Sequence, residues 1–526
     1  LVSSRLLLAI WYFSPWQLGY WNRRGIPHVT AWPIFGSVSE AAFVRKPIGQ
    51  VYSDIYKKGE GKRYIGFYKF SQPAVILRDP ELIKKVIVMD FDHFPSNEVH
   101  GDVNLDPMFG RHLFALSGVR WSRLRRFLAL GFTAGKLQEV SQLFPEVCNI
   151  LKAHVLLRMT EAGGPWKVEL RELFGNFTTS AMSSCALGTP CDAMNHPDVE
   201  LRRMVRLLLE PSLKKVLSQL IFLQIPWLAK LLGIPFVPRE VTEYFRKTVK
   251  AEVNRRGRTG IQRNDFMQMF IKLWHEGNLR SDFTNEGGLN GDQVVPQKVF
   301  DVAFQGNEMD DITAAALSFV SDGTVTTASL LSFTFFELAH SPDVQENVRK
   351  EVEEVLKRYK GVPTYEALQE MTYLEMVLYE VLRLYPPVPY MTRSCAKKYK
   401  LPNPNESSKI EGGFVLDKGM PVIVPTRAIQ MDDAYFPNGE EFNPNRFSKA
   451  AISERKHYTY YPYGGGPRVC IGIKFGLLLA KAAIASLIPI TKLLPHEDTA
   501  RPITMDPHYF ITVSKGGLWI KMQDKM

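Results

Sequence analysis

The sequence predicts a mainly α-helical fold with small β-sheets. Apolar residues recur at three- and four-residue spacing along most of the chain, whereas strand-like segments are few and short. With 526 residues, the chain is long enough for one very large domain or two ordinary ones. Because no break in the helical pattern demands two independent domains, we expect a single large domain over residues 38–526.

Periodicity and short apolar runs define the individual elements. The predicted helices are Asp79–Met89, Glu139–Thr160, Val199–Leu209, Arg239–Arg256, Asn264–His275, Met309–His340, Tyr365–Leu384 and a segment from near Cys470 to Leu487. The predicted strands are Tyr64–Tyr68, Ala74–Leu77, Pro421–Val424 and Ile511–Ser514. The stretch 277–307, rich in Gly, Asn, Asp and Gln, is predicted to be an exposed loop.

The first 22 residues predict an N-terminal membrane anchor. Residues 6–20 are almost all apolar or aromatic, a little short of the ~20 apolar residues that a full span needs. The residues that suit a membrane interface are Trp11, Tyr12, Trp16, Tyr20 and Trp21, followed by Arg23 and Arg24 for the cytoplasmic side. A buried amphipathic helix is the alternative. Residues 23–37, rich in Pro and Gly, predict a stiff and poorly hydrogen-bonded hinge.

Composition narrows the classes of function. The formal net charge of +11 fits an anionic membrane surface or an acidic protein partner. Nucleic acid is a weaker fit, because the basic residues form only short clusters and no zinc-finger spacing occurs. Five sparse cysteines argue against a disulfide framework, and the absence of a Cys-x-x-Cys pair argues against a structural zinc site of that type.

The densest chemical signal is the Gly-rich segment Tyr463–Gly472, which delivers Cys470 to the start of a predicted apolar helix. The unpaired N–H groups and the dipole of a helix N-terminus favour thiolate over thiol and lower the pKa of such a cysteine. Glycines such as Gly466 and Gly472 let a flat ligand approach the backbone, and Arg468 could meet an anionic group on it. These features favour a thiolate ligand to haem iron.

Two other interpretations of Cys470 stay open from the residues alone. The cysteine could be an inert buried side chain, or it could be a nucleophile. Phosphate-transferring cysteine loops place an Arg after the Cys, and none occurs in residues 471–480.

The same segment resembles the haem-binding loop of cytochromes P450, Phe-x-x-Gly-x-Arg-x-Cys-x-Gly, with Tyr463 in the Phe position. The resemblance implies haem b with Cys470 as its axial thiolate ligand, in a single large domain shaped like a triangular prism. It also implies that Tyr463 packs over the thiolate side, where its hydroxyl would tune the electronics of the ligand.

Further landmarks of the family follow in order. Glu380 and Arg383 match its Glu-x-x-Arg signature, and Arg446 matches a later arginine. Spacing of three places the first two side chains on one helix face, a pair that is usually a solvated surface contact when it occurs alone. The resemblance implies that the three form a buried network, which is structural and needed for haem retention.

Other residues match the family's contacts to the haem propionates. Trp121 and Arg125 match a Trp-x-x-x-Arg pair, whose spacing of four places both on one helix face. Arg393 matches a third contact and Arg468 a fourth. Each arginine taken alone would more often be an ordinary surface residue.

The segment Asp322–Thr327 resembles the oxygen-activating motif Ala-Gly-x-Asp/Glu-Thr-Thr, with Gly323 and Thr326 at the Gly and Thr positions. The resemblance implies that Gly323 allows a local opening of the helix and that Thr326 holds a water and relays protons. Val325 occupies the usual acid position, and Asp322 the usual Ala position. Asp322 is either a partial replacement for the missing acid or a carboxylate on the helix surface.

The resemblance covers nearly the whole chain and is strongest to insect microsomal enzymes of the detoxifying type. It implies a monooxygenase of the endoplasmic reticulum membrane, with the catalytic domain on the cytoplasmic face. Electrons would come from NADPH through cytochrome P450 reductase, with cytochrome b5 as a further partner. Arg123, Arg126 and Lys474 lie in segments that could face an acidic flavoprotein.

The substrates implied are lipophilic compounds, either xenobiotics or endogenous lipids. By family position the substrate pocket would include Phe114, Leu116, Val388 and Phe510, although apolar residues are equally typical of core packing. Two rival functions stay open: a haem-thiolate isomerase or dehydratase acting on hydroperoxides, which Val325 keeps possible, and a haem sensor or ligand carrier without turnover. Thr326 and the basic surface favour the monooxygenase.

Overall fold

A computed structural model describes residues 19–224, 226–279, 308–405, 413–499 and 501–525. These residues group into two compact units. We call the first the sheet unit; it comprises the described residues of 1–98, 376–470 and 498–517. We call the second the helical unit; it comprises the described residues of 99–375, 471–497 and 518–526. The predicted fold class, mainly α-helix with small sheets, is confirmed, whereas the single large domain stays a prediction.

The sheet unit is built on a four-stranded sheet. Its strands are β1 (Tyr64–Lys69), β2 (Gln72–Leu77), β4 (Met391–Ser394) and β7 (Pro421–Val424), in the order β1-β2-β7-β4. Only the β2–β7 pair is parallel. Strands β5 (Tyr399–Leu401) and β6 (Phe414–Leu416) form a separate antiparallel pair. The helices of this unit are Tyr20–Arg23, Ser39–Ala42, Ile48–Lys58, Pro80–Lys84, Thr426–Gln430, Lys449–Glu454 and the part of Thr372–Leu384 from Met376 onward.

The helical unit contains the long helices. They are Gly118–Ala129, Ala134–Ser141, Phe144–Ala162, Leu170–Met182, Glu200–Leu209, Leu213–Gln224, Pro226–Leu232, Arg239–Thr259, Phe266–Leu279, Glu308–His340, Pro342–Arg358, Tyr365–Glu370 and Ile473–Leu487. Helix Glu308–His340 packs most extensively against Leu170–Met182, where the rings of Phe174 and Phe335 lie 4.7 Å apart. Strands β3 (Trp166–Glu169), β8 (Thr491–Pro495) and β9 (Trp519–Asp524) form an antiparallel sheet in the order β3-β9-β8.

Several predicted elements differ from the structure. The predicted helix Glu139–Thr160 is two helices that meet between Ser141 and Phe144, and Tyr365–Leu384 is interrupted at Met371. The predicted strand Ile511–Ser514 is reduced to a single antiparallel bridge between Ser514 and Met505, because the N–H and hydroxyl of Thr512 donate to the loop carbonyls of Pro387 and Pro386. In the predicted loop 277–307, residues 277–279 belong to a helix, and 280–307 lie outside the described residues.

The N-terminal segment packs more tightly than the sequence predicted. Residues 1–18 of the expected anchor lie outside the described residues, and within the described ones no helix has the length and apolar character of a membrane span. Trp21 is wrongly assigned to a membrane interface: it is 0% exposed and its indole N–H donates to Phe67 O at 2.9 Å. The expected hinge is also well hydrogen-bonded, since Val29 N donates to Gly66 O and Ser37 N to Tyr68 O.

Replacing Trp21 by Ala should therefore lower the free energy of unfolding by about 3–5 kcal/mol, the usual loss for a large aromatic side chain in a core. Trp32 offers a matched control, because its side chain is 70% exposed. The Trp32→Ala variant should change stability by less than about 0.5 kcal/mol. Urea unfolding of both variants measures the difference. Equal midpoints for the two variants would show that Trp21 does not anchor the sheet unit.

Candidate active site

The Cys470 segment is held in a tight turn by its own backbone. Gly464 and Gly466 have φ values of +78° and +65°, which side-chain-bearing residues rarely adopt. A short 3-10 helix, Gly466–Arg468, follows, and the N–H of Cys470 donates to Tyr463 O at 2.9 Å. This hydrogen bond closes the turn and leaves the Cys470 side chain exposed. Tyr463 itself is half-buried.

Steric contact with the neighbouring segment explains the glycines before Cys470. A Cβ atom on Gly466 would lie 1.8 Å from the carbonyl oxygen of Ile87, which belongs to the π-helix Lys85–Met89. A Cβ on Gly465 would lie 2.7 Å from the Ile87 side chain. Gly472 is different, because its nearest contact, the Phe132 ring at 3.8 Å, is ordinary van der Waals distance. Packing against Ile87 therefore requires glycine at residues 465 and 466, whereas packing does not require it at residue 472.

Arg393 is a buried cation without an acidic partner among the described residues. Its side chain lies on β4 and is 4% exposed. One terminal nitrogen donates to Asn97 Oδ1 and to Thr392 O, both at 2.8 Å, and Nε has no hydrogen-bond partner. Burial lowers the pKa of Arg393 to about 10. The guanidinium would be better satisfied by a carboxylate than by the amide and carbonyl it contacts.

These features of the sheet unit fit a haem group. Cys470 offers a soft sulfur donor, and the unpaired Nε of Arg393 fits a propionate. Arg468 lies in the same unit, where its Nε donates to Pro95 O at 2.5 Å. Among the described residues, no group of three or more His, Cys, Asp and Glu side chains is placed to hold a metal ion. A haem iron needs only one ligand from such a loop.

Trp121 and Arg125 lie in the helical unit, one turn apart on helix Gly118–Ala129. Trp121 is buried and Arg125 is half-buried. The sheet unit holds Arg393, Arg468 and Cys470. A shared contact of these five residues with one haem stays a prediction, because it joins residues of the two units.

The structure brings Glu380, Arg383 and Arg446 together inside the sheet unit. Arg383 donates from Nε and Nη2 to the two carboxylate oxygens of Glu380, at 2.7 and 2.8 Å. Both side chains are fully buried, and Arg446 Nε lies 3.5 Å from Glu380 Oε1. Burial raises the pKa of Glu380, and the ion pair with Arg383 acts in the opposite direction.

The remaining N–H groups of Arg383 connect this network to the chain that follows. They donate to the backbone carbonyls of Gln430, Gly439 and Glu441 at 2.9, 2.6 and 2.9 Å. The arrangement ties helix Thr372–Leu384 to the segment that leads toward the cysteine turn. It supports a structural role for the network, and its effect on haem retention stays a prediction.

The oxygen-activation segment forms an exposed window on a buried helix. Residues 310–339 of helix Glu308–His340 are buried except for four residues, which we call the window: Asp322, Gly323, Val325 and Thr326. The Asp322 side chain is 62% exposed. The segment that the sequence singled out on this helix is therefore its least buried part, and its role stays a prediction.

The window differs from the prediction at Gly323. The helix is continuous at Gly323, where no local opening occurs; a Cβ there would lie 2.7 Å from Met182 Cε, so the glycine makes room for that side chain. The Thr326 hydroxyl donates to the backbone carbonyl of Asp322 at 2.5 Å. No hydrogen bond joins it to the Asp322 carboxylate, which gives no support to a direct relay between these two side chains.

A histidine that the sequence did not single out completes this region of the helical unit. His112 Nε2 lies 3.4 Å from Asp322 Oδ2, and His112 Nδ1 accepts the N–H of Phe114 at 3.1 Å. No sequence motif marks His112, because its partner Asp322 lies far along the chain. The contact could be found only from the fold.

The residues predicted to line the substrate pocket are apolar side chains that the described structure leaves accessible. In the helical unit, Phe114 is 51% exposed and Leu116 is half-buried. In the sheet unit, Val388 and Phe510 are exposed. Accessible apolar side chains are consistent with ligand contact, and a common pocket of the two pairs stays a prediction.

Comparison with known proteins agrees with these observations. Residues 26–520 match the family model described as Cytochrome P450. Cytochrome P450 6k1 of Blattella germanica is 30% identical over 519 residues, covering 98% of this chain and 95% of that protein. Cytochrome P450 9e2 of the same organism is 31% identical, covering 99% and 97%. Cytochrome P450 6a8 of Drosophila melanogaster is 32% identical, covering 99% and 98%.

Replacing Arg393 by Met should have opposite effects on the protein with and without haem. Without haem, removal of a buried cation that lacks an acidic partner should leave stability unchanged or raise it. With haem, loss of a charged hydrogen bond of about 1.5–3 kcal/mol should speed haem dissociation roughly 10- to 100-fold. Transfer of haem to excess apomyoglobin measures the rate. The exposed Arg358→Met variant is the control, and equal rates in the two variants would rule out a propionate contact at Arg393.

Proposed function

Because this chain belongs to the cytochrome P450 family and is a haem-thiolate monooxygenase, we propose that it inserts one oxygen atom of O2 into lipophilic substrates. The electrons would come from NADPH through cytochrome P450 reductase, with cytochrome b5 as a second donor. The observation that carries the proposal is the glycine turn that presents the exposed Cys470 side chain, with its backbone N–H bonded to Tyr463 O. This turn suits a sulfur ligand to iron.

The protein's own residues would bind the cofactor. Bound haem with a thiolate ligand supplies the oxygen chemistry, because the sulfur donates electron density that favours cleavage of the O–O bond. Cys470 would hold the iron, and Arg393, whose buried guanidinium has an unpaired Nε, would hold a propionate. Trp121, Arg125 and Arg468 are proposed as the further propionate contacts. Tyr463 would pack on the thiolate side through the aromatic ring that replaces the family's Phe.

Thr326 is the residue proposed to handle protons. Its hydroxyl proton is engaged with the Asp322 carbonyl, so the lone pairs of Oγ1 can accept a hydrogen bond from a water molecule. Val325, the neighbour at the usual acid position, cannot supply a proton. We therefore propose that water reaching the exposed window delivers protons, with Thr326 Oγ1 fixing the position of that water. The hydroperoxide isomerase alternative would need no such group.

The surface of the helical unit supports docking of an acidic redox partner. Arg126 and Lys474 are exposed, and Arg123 is half-buried. A net charge of +11 favours long-range attraction of an acidic flavoprotein. We propose the endoplasmic reticulum membrane as the location, with the catalytic part on the cytoplasmic face. The support for this location is the apolar composition of residues 6–20 and the likeness to insect relatives.

Substituting Thr326 tests this function in the haem-loaded protein reconstituted with reductase. Wild type should consume O2 only when NADPH is present. Thr326→Ala should release several-fold more hydrogen peroxide per NADPH, because water near the window loses its fixed partner. Thr326→Ser keeps the hydroxyl and should stay near wild type. Hydroperoxide conversion without any NADPH-dependent O2 consumption in wild type would favour the isomerase, and ligand binding without either activity would favour the sensor.

A further inference from the structure

The window on helix Glu308–His340 carries a negative charge that the proposed chemistry does not use. Asp322 is its charged residue and its most exposed side chain. Its carboxylate makes no hydrogen bond to Thr326, whose hydroxyl donates to the Asp322 backbone carbonyl instead. The Asp322 carboxylate therefore takes no part in the hydrogen bond of the Thr326 hydroxyl.

His112 contacts this carboxylate. The N–H of Phe114 donates to His112 Nδ1 at 3.1 Å, so Nδ1 must carry a lone pair. The ring proton of that tautomer is on Nε2, which faces Asp322 Oδ2 at 3.4 Å. Protonation of Nδ1 would break the hydrogen bond from Phe114. His112 is therefore a close polar contact of the carboxylate through Nε2.

The other partners of the Asp322 carboxylate are neutral as well. Ser321 Oγ lies 3.2 Å from Oδ1, and Ser318 Oγ lies 3.5 Å from Oδ2. Within the part of the chain that the structure describes, no Lys or Arg forms an ion pair with Asp322. The carboxylate is therefore an exposed negative charge that is held by serine hydroxyls and has no Lys or Arg partner among the described residues.

Two accessible apolar side chains belong to the segments that carry this charge and its histidine contact. Val325 belongs to the same window, and Phe114, two residues from His112, exposes half of its side chain. A carboxylate close to accessible apolar and aromatic side chains is suited to a ligand that carries a positive charge on a lipophilic body. A neutral lipophilic ligand would leave the carboxylate partly desolvated and unpaired, which costs free energy.

We propose that Asp322 is a specificity-determining residue that binds the cationic nitrogen of lipophilic amine substrates. His112 is a positioning residue, whose Nε2 faces the carboxylate. This inference rests on the proposed function, since it names a substrate class for the same site. It assigns Asp322 to ligand recognition, in place of the proton-delivering role that the sequence left open.

A pair of isosteric probes tests the proposal on the full, haem-loaded chain. The cation is (4-phenylbutyl)trimethylammonium, and the neutral probe has a quaternary carbon in place of nitrogen. A quaternary nitrogen has no lone pair and cannot ligate iron, so the probe reports on the protein side chains alone. Equilibrium dialysis gives the dissociation constant of each probe, and the ratio of the two constants measures preference for the charge.

The ratio should respond to Asp322 specifically. Asp322→Asn should reduce the preference for the cation roughly threefold to tenfold, as expected for a partly exposed ion pair with an aromatic neighbour. Asp322→Glu should keep most of the preference. His112→Ala should reduce it by a smaller factor, and His112→Gln, which retains an N–H donor, should restore part of it. Glu354→Gln, at a side chain 77% exposed on another helix, should leave the ratio unchanged.

Two results would overturn the inference. One is an unchanged cation preference in Asp322→Asn; the other is an equal loss of affinity for both probes, which would mean a structural role. NADPH-dependent oxidation of the neutral probe separates this inference from the proposed function. If the protein oxidises the neutral probe but shows no cation preference that depends on Asp322, the inference is wrong and the proposed function is supported. If the cation preference depends on Asp322 but the protein oxidises neither probe, the proposed function is wrong and the binding site is supported.

Discussion

The close contact between Gly466 and the carbonyl of Ile87 is the constraint on which the sheet-unit part of the site depends. Any side chain at residue 466 would collide with backbone, because a Cβ atom would lie 1.8 Å from that oxygen. The positive φ values of Gly464 and Gly466 then bend the chain, and the N–H of Cys470 returns to Tyr463 O. Backbone geometry, rather than side-chain packing, thus sets the position of the sulfur.

The two units contribute different kinds of chemistry to the proposed reaction. The sheet unit supplies the sulfur of Cys470 and the buried cation of Arg393, both suited to holding a cofactor. The helical unit supplies an exposed window on a buried helix, with the hydroxyl of Thr326 and the carboxylate of Asp322.

The sequence predicted the site best where residues close along the chain act together. The Cys470 turn and the Glu380–Arg383 pair depend on spacings of a few residues, so both could be predicted from the sequence. The contact of His112 with Asp322 could not, because the fold alone brings these distant residues together. Trp21 was misassigned for another reason. A tryptophan suits both a membrane interface and a hydrophobic core, and only its contacts with Phe67 and Tyr68 show that it belongs to the core.

The absorption spectrum of the reduced, carbon-monoxide-bound protein is the most direct test of whether Cys470 would supply the sulfur ligand to haem iron. Wild type and the control Cys191→Ser should both show the band of thiolate-ligated haem, and Cys470→Ser should lose it. A spectrum typical of imidazole ligation in wild type, or a thiolate band that persists in Cys470→Ser, would contradict the account.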